Sequence, residues 1–219
     1  MKKKLLLPLL CLLLCLGLAG CVAAMLGLAY GDPEVELRED PAEYQKLAGP
    51  NPEQDYQIHS PDLRGDIFPQ ALPQNAEVRE FRMVRYDPWD PQWICYLTLQ
   101  YSPEDYARET ERLAAFPKAE YAGVFSVTGF NPEPLALSVD RTAGFLYAIP
   151  TPGRENAVTY VRLEFGNLFY DLDYREYIPA AYLPQGFDAT PENPWREAYF
   201  QETDSIGPEA ISDTGRNRI

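Results

Sequence analysis

The sequence predicts an α+β fold: a mainly antiparallel, meander-like sheet with one substantial helix over about 102–116 and long proline-rich loops. Three observations carry this. Two runs rich in aromatic and β-branched residues, EVREFRMVRY (77–86) and QWICYLTLQY (92–101), flank DPWDP and predict a hairpin. A single well-capped helical pattern follows immediately. The third observation is punctuation, because 21 prolines divide much of the remaining chain into short segments and irregular loops.

Taken in order, residues 31–39 (GDPEVELRE) read as an acidic spacer. In DPAEYQKLAGP, Asp40 as N-cap, Pro41 at the first helical position, Glu43 three residues after the cap and the stop Gly49-Pro50 predict a short helix over 41–48. Two turns do not stand alone, so Tyr44 and Leu47 are expected to lie against the body. The stretch 51–75 is irregular, with a turn opened by Ser60-Pro61. After the hairpin, Ser102 caps a helix with Pro103 at its first position and Glu104 and Asp105 at its positive end. Pro117 ends it, since the residue before a proline is pushed out of the helical region.

Short segments separated by turn residues follow at 121–130, 134–140, 144–150, 157–165 and 168–174. Gly166-Asn167 reads as a type II′ turn. Pairing the last two segments about it sets Val161, Leu163 and Phe165 opposite Leu172, Tyr170 and Leu168 on an apolar face. Arg162 opposite Asp171 and Tyr160 opposite Asp173 then face solvent. The stretch 176–200 reads as an irregular aromatic wrap over the sheet, and 203–219 as a disordered tail.

The chain opens with Lys2–Lys4 followed by an uncharged apolar run, the pattern of an export signal. At the end of that run, Leu18-Ala19-Gly20-Cys21 resembles the lipobox of bacterial lipoproteins. The resemblance covers about the first tenth of the chain. It implies removal of residues 1–20 and a lipidated Cys21 at the outer face of the cell membrane. An uncleaved helix is the alternative, because Leu5–Tyr30 carries no charge and exceeds the ~20 residues needed to cross a bilayer. Either way the body lies outside the cytoplasm, with the lysines inside. The organisation is then a signal segment 1–20, an anchor-proximal spacer 21–55 containing the short helix, a single α+β domain 56–202 and the tail.

The formal charge of −14 repels polyanions, which excludes nucleic acid as a principal partner. The bilayer, through the N-terminal anchor, is the first expected partner; a cell-wall polymer or another envelope protein is the second. Of the four cysteines only Cys95 belongs to the body, where it alternates with Trp93, Leu97, Leu99 and Tyr101 and reads as a core thiol. The single histidine, His59, falls in a loop without further nitrogen or sulfur ligands, so neither a metal site nor a catalytic triad is predicted. Asp87 and Asp90 read as turn residues, and no cofactor motif is present. Trp89 and Trp195 are the candidate aromatic binding surface. The expected function is a non-catalytic binding or interaction module of the cell envelope. The alternative is a cell-wall hydrolase using paired carboxylates.

Overall fold

The hairpin around DPWDP forms as its alternation predicts. In the computed structural model, which describes residues 33–205, β2 (Glu77–Tyr86) pairs antiparallel with β3 (Gln92–Gln100). They join β1 (Glu36–Arg38), β4 (Ala136–Asp140), β5 (Gly144–Pro150) and β6 (Ala157–Glu164) in a six-stranded antiparallel sheet of order β1-β2-β3-β6-β5-β4. Two three-stranded meanders therefore meet where β3 pairs with β6. The turn 87–91, the turn 141–143 and the exit of β6 all lie at one end, here the upper end.

Strand periodicity gives each face its own core. Trp93, Cys95, Leu97 and Leu99 of β3 share one face with Val158 and Tyr160, under Tyr44, Leu47, Tyr56, Ile67 and Phe68. Leu113, the buried residue of α2 (Pro103–Ala114), completes that cover. Ile94, Tyr96, Val161 and Leu163 share the other face, under Phe125 and the later chain from Leu168 to Phe187. The chain before β2 together with α2 thus covers one side, and the chain around Phe125 together with that after β6 covers the other.

Both expected helices are present with their caps. Ser102 Oγ accepts from Asp105 N at the start of α2. Asp40 Oδ1 accepts from Ala42 N before a 3₁₀ turn, Pro41–Glu43, which runs into α1 (Tyr44–Leu47). Tyr44 and Leu47 are buried, as predicted. The stretch read as spacer up to residue 55 nevertheless belongs to the fold from Glu36 on, since β1 is an edge strand pairing residues 36–38 with 83–85.

Irregular chain lacks ladder partners for its carbonyls, and buried tyrosines supply them. Tyr147 donates to Tyr182 O at 2.6 Å, Tyr170 to Trp93 O at 2.8 Å and Tyr174 to Phe187 O at 3.1 Å. On the opposite face Tyr44 donates to Pro69 O at 2.5 Å. Each ring buries apolar area while its hydroxyl pins a loop.

Four expectations are corrected. The segment 168–174 is not a strand: β3 and β5 occupy both edges of β6, so no edge is left for it. Asn167 (φ 56°) and Leu168 (φ 67°) instead turn the chain over the sheet face, where Leu168, Tyr170 and Tyr174 pack on Leu163 and Phe165. On the opposite face Arg162 and Tyr160 are buried rather than solvent-facing, 3% and 0% exposed, because the chain before β2 covers them. The segment 121–130 forms no strand: the chain turns tightly at Phe125 (φ 47°) and Ser126 (φ 62°), both left-handed, and only Gly129 pairs, in an isolated bridge with Gln185. The end of the wrap is helical: α3 spans Pro194–Ser205, opened by Asn193 Oδ1 accepting from Trp195 N. That helix runs three residues into the stretch read as a tail. Cys21, the segment 1–20 and residues beyond 205 lie outside the described residues.

Cys95 is fully buried, and burial pushes its thiol up to about 12 against a smaller lowering by Arg162. Peptide mapping after treatment with an alkylating reagent is expected to show Cys95 unmodified in the native protein and modified in denaturant.

Candidate functional site

A cleft of about 570 Å³ opens at the upper end of the sheet. Four regions converge on it: the segment His59–Pro61, the β2–β3 turn through Asp90, the β4–β5 turn through Asp140 and Thr142, and the exit of β6 at Gly166–Leu168. Tyr199 and Phe200 from α3 form a further wall. Glu164 and Trp93 lie opposite one another on neighbouring strands and also line it. A second cavity of about 440 Å³ adjoins through Asp140, Thr142 and Tyr199.

Below the 56–60 segment lies a buried ion pair. Arg162 and Glu164 stand two residues apart on β6, so their side chains share a face. The closest approach is 2.6 Å, with side chains 3% and 2% exposed. The remaining hydrogen-bonding capacity of both goes to the segment above. Arg162 donates to Tyr56 O at 2.7 Å and Gln57 O at 2.9 Å, and Glu164 Oε1 accepts from His59 N at 2.8 Å and Ser60 N at 3.1 Å. The guanidinium also lies 4.9 Å from the Trp93 ring centre, and His59 stacks on that indole at 4.6 Å. On the far side of the segment a cavity of about 520 Å³ is lined by Arg162, Tyr56 and Gln57. The ion pair therefore sits in the wall between two cavities.

The other acids of the cleft are occupied as well. Asp140 accepts from Ser60 Oγ, from Thr142 N at 2.7 Å and Oγ1 at 2.8 Å, and from Ala143 N at 3.2 Å. Burial works to raise its pKa, but these donors outweigh it and hold the carboxyl below its ordinary value. Asp90 accepts from the Asn167 amide across the mouth. Asp87, the other turn acid, pairs with Arg85 at 2.6 Å.

The two tryptophans singled out from sequence differ in exposure. Trp89 is 75% exposed at the tip of the β2–β3 turn. Trp195 is half-buried, against Phe125 at 5.9 Å and under Arg141 at 5.1 Å. His59 is exposed on its loop, as read. Sequence reasoning missed Ser60, Asp140, Glu164, Tyr199 and Phe200. Only the opposite charges of Arg162 and Glu164, two apart in a strand, carried a signal, that of a pair able to neutralise itself when buried.

Among the described residues no group of three or more His, Cys, Asp or Glu is placed to hold a metal ion. No helix among them is long and apolar enough to cross a membrane. Compared with known proteins, the chain matches no protein-family model, no curated protein and no solved structure.

Proposed function

We propose that this is a non-catalytic binding module of the cell envelope, tethered through lipidated Cys21, whose ligand occupies the upper cleft. One observation carries the reading. The cleft joins aromatic walls to carboxylates that already accept hydrogen bonds from the loops around them, several each at Glu164 and Asp140, an arrangement suited to binding rather than to proton transfer. A general acid needs a raised pKa, and Asp140 has a lowered one. The class of ligand is a cell-wall polymer or the surface of another envelope protein.

A second reading has its own support, because Asp90, Asp140 and Glu164 all line the same cleft. Two carboxylates across a groove are the minimum for glycoside hydrolysis. Incubating the full-length protein with purified cell-wall sacculi distinguishes the readings. Retention in the pellet without released fragments is expected. Tyr199→Ala and Phe200→Ala should each weaken retention about 2- to 10-fold, the effect of losing one aromatic contact. Fragment release that disappears in Asp140→Asn or Asp90→Asn would replace the binding module by a hydrolase. Neither retention nor release would exclude the wall and leave a protein partner, to be sought by crosslinking in cells.

A further inference from the structure

We infer that the upper end of the sheet rests on the outer surface of the bilayer, with Trp89 seated at the level of the lipid headgroups. The inference rests on the anchored reading of the N-terminus and adds to it an orientation and a contact residue.

Three observations converge on that end. The first is where the chain enters the fold. Val35 precedes Glu36, which pairs with Arg85, so the first strand begins beside the β2–β3 turn. The second is the length of chain between anchor and fold. Fourteen residue steps separate Cys21 from Val35, which at full extension span at most about 50 Å and as a random coil average about 20 Å. The nine residues of β3 are about 30 Å long. Presenting the lower end to the membrane would require the tether to run back along the whole sheet, beyond its average coil span, whereas the upper end requires no such reach. An uncleaved helix ending near Tyr30 would shorten the tether further and strengthen the constraint.

The third observation is what that end displays. The exposed large apolar side chains among the described residues are Val35, Leu37, Trp89 and Phe200. Val35 and Leu37 flank the row that pairs with Arg85, Trp89 forms the turn itself, and Phe200 lines the cleft with Asp90 and Gly166. All four therefore lie toward the end where the chain enters. Tryptophan suits the membrane–water boundary, since its ring is apolar and its N–H polar. The flanking acids Asp87 and Asp90 disfavour an anionic surface, so the contact is made to zwitterionic or neutral headgroups.

The cleft mouth lies beside Trp89, so this orientation holds the cleft against the membrane surface. Its ligand, wall polymer or envelope protein, would then be met in the space next to the bilayer.

The test uses the full-length lipidated protein in phosphatidylcholine vesicles carrying bromine on the upper acyl chain. Trp93 is buried and Trp195 half-buried, so Trp89→Phe isolates the emission of residue 89. Flotation with the vesicles reports anchoring independently. The expected result is flotation of both proteins, with bromine quenching in the native protein that is lost in Trp89→Phe. Flotation without quenching would overturn the orientation and leave the anchor standing. Equal quenching in both proteins would come from Trp93 or Trp195 and overturn the assignment to Trp89. Failure to float would overturn the anchored reading, and the orientation with it.

Discussion

Replacing Glu164 by leucine is expected to destabilise the protein by about 3–5 kcal/mol, because it leaves the Arg162 guanidinium charged and unpaired in the interior. Arg162→Met should act similarly through the stranded carboxylate. The double variant is the more informative experiment. Removing both charges of a buried pair is often nearly neutral, yet here each ion also holds backbone groups of the 56–60 segment. Four carbonyl and amide groups would lose their partners together, at about 1–3 kcal/mol for each one left unsatisfied. Denaturant unfolding of the double variant should therefore recover only part of the loss. Full recovery would show that the segment stays in place without the pair.

Gly144→Ala is expected to cost about 3 kcal/mol or more, on two grounds that add. Its φ is +122°, and a Cβ there would sit 2.2 Å from the backbone oxygen of Leu163 on the paired strand. Backbone oxygen in a central strand cannot move aside as a flexible side chain can. Gly153→Ala is the control, for it shares a positive φ of +71° but meets nothing within 4 Å. Its expected loss is about 1–2 kcal/mol, the conformational part alone. Thermal melting of the two variants should separate collision from backbone strain.

The elements that were legible in the sequence are those whose signals are local. Ser102-Pro103 fixed the start of α2, and alternation around Cys95 placed Trp93, Leu97 and Leu99 on one face. The 157–165 segment shows where local reading stops. Its apolar alternation was real, and Val161, Leu163 and Phe165 do share a buried face with Leu168 and Tyr170. What alternation cannot reveal is which chain lies alongside. A glycine-containing turn suggested the next segment, whereas the sheet placed β3 there, with β5 on the other side. Gly166 does not adopt the positive φ that a type II′ turn requires. In α3 the cap Asn193-Pro194 resembled Ser102-Pro103, but the segment lacked a strong apolar stripe. The cleft was illegible for the same reason as the sheet order, since its walls come from five stretches spread between residues 59 and 200.

The pairing of β3 with β6 also sets when the molecule can be completed. β3 ends at Gln100 and its second neighbour begins only at Ala157, while β1 and β2 precede it. A chain emerging from its N-terminus can close the β2–β3 hairpin early, but neither core can be sealed until residues 157–164 arrive. One cover waits longer still, for Phe187 and α3. Long-range pairing of this kind slows folding and leaves apolar strands exposed in the interval. The same delay keeps the chain threadable until nearly all of it has been delivered, which fits a polypeptide proposed to cross a membrane before it folds.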